Sequence, residues 1–236
     1  MAEHLLKRFE DELTKLRYRL VKMGTLVQQQ IEYAINSVID NNVDYANLVI
    51  ETEIKIDKLD LKIDKQCLKI FALHQPVAMD LRLVLSAVSM NDKLELIGDL
   101  ATNIAQNVQN MMLPHGLVIK TKLNDMGKMV NVIISKLMDS FVNMDNDLAL
   151  ESIKMDSEID SYYKENFSIL ITLMKSDCDL IEPCSYLLDI NRNIQAISRQ
   201  ARSIAQELVF LFEAKMIKHQ DLYDLDSGDE NIIESI

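Results

Sequence analysis

Apolar residues recur every three or four positions along most of this chain. Near its start, the set Leu5, Phe9, Leu13, Leu16 and Leu20 follows this spacing. Such spacing is typical of one face of an amphipathic α-helix, and it predicts a first helix over residues 2–40. The same pattern predicts five further helices, over 44–73, 76–112, 118–143, 147–175 and 180–218.

Three breaks in the pattern predict where helices end. The polar stretch DNNVD, residues 40–44, interrupts the first periodic segment. The second helix should stop before Pro76, because the residue ahead of a proline resists the helical region, whereas Pro76 itself suits the first turn of the third helix. The stretch LPHG, residues 113–116, is the one strong linker signal.

The second half of the chain repeats the first. A Met-Gly pair at Gly24 returns at Gly127, 103 positions later, and Asn91 returns at Asn191, 100 positions later. We therefore predict an all-α fold of two tandem three-helix bundles related by an internal repeat. The predicted units are residues 1–113 and 117–218, followed by an acidic C-terminal tail over 219–236.

Composition supports long helices and narrows the classes of partner. The chain has 236 residues with only 5 Gly and 3 Pro, and so few breakers favour long helices with short connections. The net charge of −12 argues against nucleic acid, whose phosphates require a basic surface. Three cysteines without CxxC spacing predict reduced thiols in a cytosol, and no apolar run reaches the length of a membrane span. We expect a cytoplasmic protein without direct membrane insertion.

Facing carboxylates are the main candidate chemistry. Four acids of the second helix recur at spacings of four, three and four and fall within a sector of roughly 60°. They are Glu53, Asp57, Asp60 and Asp64. The third helix carries Glu95 and Asp99, with Asp92 beside them. Folding these two helices back on each other at Pro76 brings six acids level in three pairs. The pairs are Glu53 with Asp99, Asp57 with Glu95, and Asp60 with Asp92.

Like charges this close are unfavourable unless something neutralises them. A cation bridged by carboxylate oxygens would do so, which predicts a metal site on this face. Two alternatives stay open: a solvated acidic face partly neutralised by neighbouring lysines, and proton sharing among the acids. The predicted ligands of the first unit are Glu53, Asp57, Asp60, Glu95 and Asp99.

The second unit keeps only half of this arrangement. Asp156 and Asp160 match Glu53 and Asp57, but the positions level with them hold Arg199 and Gln195. We therefore predict that an ion pair between Arg199 and Asp156 replaces the cation there.

Two stretches carry a family resemblance. HQPVAMDLRLVLSAV, residues 74–88, and LELIGDLATNIAQN, residues 94–107, resemble the PhoU family of bacterial phosphate-uptake regulators. The tandem repeat, with an acid-xxx-Asp pair in the second helix of each unit, resembles that family too. The resemblance covers roughly residues 1–218. It implies two spectrin-like three-helix units in a cytoplasmic, often dimeric protein.

The resemblance also implies partners and a metal. Members of the family are held to repress phosphate-starvation signalling by contacting the sensor histidine kinase and the ATPase subunit of the phosphate ABC transporter. Some carry iron, zinc or another divalent metal on the acid-xxx-Asp pairs; manganese and magnesium are further candidates here. The matching positions are Glu53, Asp57, Glu95 and Asp99, with Asp156 and Asp160 in the second unit.

This sequence departs from the family pattern in two places. Leu96 stands where the family usually has an arginine after the glutamate. The second unit lacks the glutamate and aspartate of that stretch, since Gln195 and Arg199 replace them. These replacements leave open whether the second unit binds metal.

Two charged residues near the start of the third helix have two interpretations each. Asp80 and Arg82 could contact a partner; alternatively, Asp80 interacts with the helix N-terminus and Arg82 forms an intramolecular pair. For the whole chain, we expect a non-enzymatic regulatory adaptor. The alternatives are a carboxylate-bridged metal enzyme, such as an oxidase or phosphohydrolase, and a structural helical module without an ion.

Overall fold

The computed structural model describes residues 2–111 and 114–216, and that part of the chain is helical without any strand. This confirms the predicted all-α fold. The predicted C-terminal tail lies outside the described residues. The helices are α1 Ala2–Ile39, α2 Val43–His74, α3 Ala78–Asn110, α4 His115–Val118, α5 Leu123–Asn143, α6 Asn146–Ser176 and α7 Ile181–Glu213, with a 3-10 turn at Cys178–Leu180.

Two predicted helix ends are wrong by a few residues. Pro76 lies in the turn between α2 and α3 rather than in the first turn of α3, because Gln75 closes α2 in the left-handed conformation and Val77 is extended. The last helix ends at Glu213 instead of continuing to residue 218, and Ala214 takes a left-handed conformation with φ 59°. Residues 217 and 218 lie outside the described part.

The predicted helix over 118–143 is broken at its start. A short helix, α4, comes first, and α5 begins only at Leu123. In a continuous helix the Lys122 amide would donate to the carbonyl of Val118. Here it donates to the side-chain oxygen of Asn166 on α6, at 2.6 Å. A contact 44 residues away therefore sets the start of α5.

The two repeats pack into one continuous core. Helices α1, α2 and α3 contact one another, as do α5, α6 and α7, and the repeats meet where α1 contacts α5 and α3 contacts α7. Buried apolar residues from all of the long helices join in a single cluster. Within the described ranges, no helix is long and apolar enough to cross a membrane.

Paired glycines bring α1 and α5 close together. A Cβ added to Gly24 would clash with Met138 Sδ, and one added to Gly127 would lie 2.5 Å from Ile35 Cδ1. Gly24 and Gly127 are 103 positions apart, as are Ile35 and Met138. The crossing is therefore pseudo-symmetric: each repeat places its glycine against the same position of the other.

The antiparallel contact of α3 with α7 follows the same pseudo-symmetry. Ser89 donates to Glu207 Oε1 at 2.8 Å, and Asn107 donates to Asp189 Oδ2 at 2.8 Å. Ser89 and Asp189 are 100 positions apart, and so are Asn107 and Glu207. The repeat seen in the sequence is thus a pseudo-twofold relation in the structure, with α2 and α6 outside this contact.

Candidate functional site

The acids of α2 and α3 face each other across the hairpin, close to the predicted register. Asn91 on α3 donates to Asp60 Oδ1 at 2.6 Å and to Asp64 Oδ1 at 3.0 Å. Towards the other end, Glu53 on α2 accepts a hydrogen bond from Thr102 at 3.2 Å. Amide and hydroxyl side chains therefore lie between the acids and bind part of them.

Glu53 occupies a half-buried polar site that also involves α1. Its Oε2 accepts hydrogen bonds from Gln30 Nε2 and Thr102 Oγ1. A Cβ added to Gly98 would lie 2.9 Å from Glu53 Oε2 and 3.1 Å from Gln30 Oε1, so the missing side chain of Gly98 makes room for both. Glu53 Oε1 and Gln30 Oε1 are buried and have no hydrogen-bond partner among the described residues.

Burial raises the pKa of Glu53 to about 7, against a hydrogen bond from Gln30 that lowers it. The charges of Asp57 and Asp99 raise the pKa further. Burial also raises the pKa of Glu95 and of Asp60, with the charges of Asp99 and Asp64, respectively, as the next cause. Near neutral pH a proton therefore neutralises the Glu53 carboxyl in part.

Basic side chains do not compensate the negative charge of this face in the described part of the chain. None of the six facing acids there lies within 4 Å of a lysine or arginine nitrogen. The lysines of α2 that could have paired with them, such as Lys58, point to solvent. The interpretation as a face neutralised by lysine pairs therefore gains no support.

The predicted ligands do not converge on one point. In the described ranges no group of three His, Cys, Asp or Glu side chains is arranged to hold a metal ion. Asp57 and Asp99 are exposed at the rim, whereas Asp60 and Glu95 are half-buried. A metal site on this face remains a prediction.

In the second repeat, protein donors bind the matching acids. Gln195 Nε2 donates to Asp160 Oδ1, as its level position predicted. Asp156 accepts from Ser198 Oγ at 2.5 Å and pairs with Arg202 at 3.1 Å.

The predicted ion pair between Arg199 and Asp156 is therefore wrong. Positions 198 and 202 are one turn apart on the face of α7 that meets α6, whereas Arg199 is exposed to solvent. The arginine one turn later, Arg202, forms the pair instead.

Sequence reasoning missed the residues that distinguish the two sites. Gly98 and Ser198 are equivalent, as are Thr102 and Arg202, so the second repeat fills the space beside its acid and adds a positive charge. Gln30 was missed because it comes from α1, outside the hairpin. A position-by-position comparison of the two repeats would have found the other four residues, Gly98, Ser198, Thr102 and Arg202.

Arg82 takes part in an intramolecular contact. Its Nε donates to the carbonyl oxygen of Leu211 in the last turns of α7, at 3.2 Å. Asp80 is half-buried in the first turn of α3, where the helix dipole favours a negative charge. Both observations favour the structural interpretation of these residues, and their contact with a partner stays a prediction.

Comparison with known proteins identifies the family. The family model described as PhoU domain matches residues 20–108 and again residues 123–208, one match for each repeat. The chain belongs to the PhoU family. A curated relative is the phosphate-specific transport system accessory protein PhoU homolog of Pseudomonas aeruginosa, which is 30% identical over 98% of this chain and 96% of its own length.

Solved structures of PhoU proteins share the fold. The crystal structure of PhoU from Pseudomonas aeruginosa superposes with a TM-score of 0.80 at 30% identity, covering 88% of this chain and all of the other. The phosphate transport system regulatory protein PhoU from Streptococcus pneumoniae gives a TM-score of 0.79 at 25% identity, covering 89% of this chain and 99% of the other. The PhoU resemblance found in the sequence is confirmed, and the relatives' descriptions support a regulatory role.

We expect the free energy of unfolding of the wild type to fall, relative to Glu53→Gln, as the pH rises from about 4.5 to about 7. The folded state binds the Glu53 proton more tightly than the unfolded state. The proton therefore stabilises the fold fully at a pH below the pKa of Glu53 in the unfolded chain, and this stabilisation is lost as the pH rises through the pKa in the folded chain. The difference should be about 1–2 kcal/mol, allowing for water that reaches a half-buried carboxyl. Urea unfolding at low and neutral pH measures it.

The control for this pH dependence is Asp139→Asn, which removes an exposed carboxyl from α5. This variant should keep the pH dependence of the wild type. A Glu53→Gln chain with the wild-type pH dependence would contradict the raised pKa of Glu53.

Proposed function

We propose that this chain is a negative regulator of phosphate uptake and of phosphate-starvation signalling in the cytoplasm. It acts as an adaptor that contacts the ATPase subunit of the phosphate ABC transporter and the sensor histidine kinase, and it forms a homodimer. The observation that carries the proposal is the PhoU match over both repeats, with a relative described as a phosphate-specific transport system accessory protein.

The proposed role is regulatory rather than catalytic. Relatives are described as accessory or regulatory proteins, and this description supports a function through contact with other proteins. The alternative, a carboxylate-bridged metal enzyme, gains no support from those descriptions. An acidic chain, with a net charge of −12, is suited to partners with basic surfaces.

We also propose that the acidic face of the first repeat binds a cation. The buried Glu53 Oε1 and Gln30 Oε1, which have no hydrogen-bond partner, and the lack of basic groups within 4 Å of these acids in the described residues support this proposal. All-oxygen donors suit hard cations such as magnesium or manganese, with iron or zinc as further candidates. The fit is partial, because no three donors are assembled among the described side chains.

Cation binding is proposed for the first repeat alone. Asp156 and Asp160 already accept hydrogen bonds from Ser198, Arg202 and Gln195. A second positive charge beside Asp156 would have to displace the Arg202 guanidinium. The two repeats therefore differ in how their acids are compensated.

The decisive experiment uses Glu95→Gln/Asp99→Arg, which gives the first repeat the residues of the second. In cells that lack the chromosomal copy, the wild-type chain should repress a phosphate-starvation reporter in high phosphate. We expect the double variant to lose this repression and to retain less metal per purified chain, measured by elemental mass spectrometry.

The matched control is Asp125→Asn/Asp139→Arg, with the same charge change at two exposed acids of α5. It should repress like the wild type and keep the same metal content. A wild-type chain that fails to repress would overturn the proposed function. Equal metal content in the wild type and in Glu95→Gln/Asp99→Arg would overturn the cation site alone.

A further inference from the structure

Helix α2 presents a second apolar stripe, on the side away from its buried face. Buried residues such as Ile56 and Ile63 face the core. The outward residues follow alternating spacings of four and three. They are Ile50, Ile54, Asp57, Leu61, Asp64, Leu68 and Phe71. Ile54 is 50%, Leu61 57% and Leu68 67% exposed. A heptad pattern of this kind is typical of a helix that packs against a further helix.

Helix α3 carries a matching stripe beside it. Its members lie between the side that contacts α2 and the side that contacts α7. They are Leu81, Leu85, Val88, Asp92, Glu95, Leu96 and Asp99. Leu85 is 45% and Leu96 39% exposed. Together the stripes of α2 and α3 form a groove, here called the outer seam, on the side of the hairpin away from α1.

The groove changes in chemistry along its length. Near the α2–α3 turn it is largely apolar, with Leu68, Phe71, Leu85 and Val88. Towards the other end α3 contributes mainly acids, whereas α2 contributes Ile50, Ile54 and Leu61 beside Asp57. None of these acids pairs with a basic side chain in the described part of the chain. A helix that filled the groove would need apolar residues towards the turn and against α2, and lysine or arginine against the acids of α3.

A cavity lies where the apolar and acidic parts meet. Its volume is about 190 Å³, and its lining consists of Asp64, Cys67, Leu68, Phe71, Val88 and Asp92. Four of these residues supply an apolar wall, and the two aspartates supply negative charge. A lysine or arginine side chain combines an aliphatic stem with a cationic end, and this combination fits such a cavity.

The second repeat keeps only part of this surface. At the positions equivalent to four exposed apolar residues of the outer seam, Ile54, Leu61, Leu85 and Leu96, it has Ser157, Lys164, Ser185 and Ala196. At the positions of Asp92, Glu95 and Asp99 it has Arg192, Gln195 and Arg199. Five other apolar positions of the seam stay apolar, as Ile153, Ile171, Met174, Ile181 and Leu188. The second repeat has therefore lost most of the acids of the seam but only part of its apolar character.

We propose that the outer seam binds a basic amphipathic α-helix of a partner protein, with apolar residues towards the α2–α3 turn and lysine or arginine towards the acids. This proposal rests on the proposed adaptor function for the existence of a partner, whose basic side chains would compete with the proposed cation for Asp57, Glu95 and Asp99. A second copy of this chain, which would present Arg192 and Arg199 of α7 with the exposed Ile181, is the competing occupant, and the sedimentation measurement below distinguishes it.

The test is direct binding of a synthetic helix to the full chain. The probe is a labelled peptide of four heptads, with leucine in all core positions of two heptads and with leucine and lysine sharing the core positions of the other two. A peptide of the same composition, scrambled to remove the periodicity, is its control. We expect micromolar binding of the periodic peptide, weakened by salt, in fluorescence anisotropy.

Matched variants locate the binding surface. Leu61→Lys introduces the residue of the second repeat and should weaken peptide binding by roughly tenfold or more. Val132→Lys changes an apolar residue of α5 that is 47% exposed and should leave binding unchanged. Circular dichroism checks that both variants are folded.

Three results would overturn the proposal. The scrambled peptide could bind as tightly as the periodic one, or the Leu61→Lys variant could bind the peptide as tightly as the wild type. In the third, the Leu61→Lys variant sediments as a smaller species than the wild type, which would make the seam a contact between copies. A chain that binds the peptide but does not repress the reporter would overturn the regulatory function and leave the seam proposal standing.

Discussion

Replacing Arg202 by methionine is expected to destabilise the protein by about 2–3 kcal/mol at neutral pH. The Arg202 guanidinium lies 3.1 Å from Asp156 Oδ2, and the Asp156 side chain is only 9% exposed. Methionine keeps an apolar stem of similar length but leaves Asp156 with a single hydroxyl donor, Ser198. The destabilisation is below that of a fully buried pair, since the Arg202 side chain is 36% exposed. Urea unfolding measures it.

Two further variants separate the ion pair from general effects of losing an arginine. Arg199→Met removes an exposed arginine three positions earlier and should change stability by less than about 0.5 kcal/mol. Adding Asp156→Asn to Arg202→Met removes the unpaired charge and should recover a large part of the loss. A loss from Arg199→Met equal to that from Arg202→Met would show that the pair is assigned to the wrong arginine.

The Asp156–Arg202 pair also shows which contacts the sequence does not predict. The alignment of α6 and α7 along their axes was predicted correctly, since Gln195 contacts Asp160 as expected. Level alone does not give the rotation of each helix about its axis, so Arg199 was predicted in place of Arg202. A long arginine side chain can also reach an acid one turn away. Contacts between two adjacent helices were thus predictable to within about one turn.

Contacts from a third helix were not predictable in this way. Gln30 of α1 donates to Glu53 from outside the α2–α3 hairpin, so the register of that hairpin does not predict this contact. Apolar periodicity fixes which face of α1 is buried, but it does not place a polar side chain against a particular acid. For the same reason the half-buried position of Glu53, and its raised pKa, came only from the three-dimensional packing.

The six long helices were predicted, but the short helix α4 and the break between α4 and α5 were not. The stretch 118–123 contains neither proline nor glycine, and its local pattern continues that of the following helix. Its amide at Lys122 is bound instead by Asn166, which is distant in the sequence. A local pattern cannot report such a competitor for a backbone hydrogen bond.

The largest loss of stability is expected from Asn166→Ile, about 3–4 kcal/mol. Asn166 is fully buried, accepts from the Lys122 amide at 2.6 Å and donates to Asn191 Oδ1 at 2.9 Å. Isoleucine is the residue at the equivalent position of the first repeat, Ile63. There Asn91, the counterpart of Asn191, has a buried Oδ1 with no partner among the described residues.

The substitution would leave two polar groups without partners, the part-buried Lys122 amide and the buried Asn191 Oδ1. Each unsatisfied group costs about 1–3 kcal/mol. Urea unfolding gives the total, and hydrogen exchange at the Lys122 amide reports the local part, which should lose protection. Asn103→Ile, at an exposed position of α3, serves as the control and should change stability by less than about 0.5 kcal/mol. Unchanged protection at Lys122 in Asn166→Ile would mean that another group holds the break between α4 and α5.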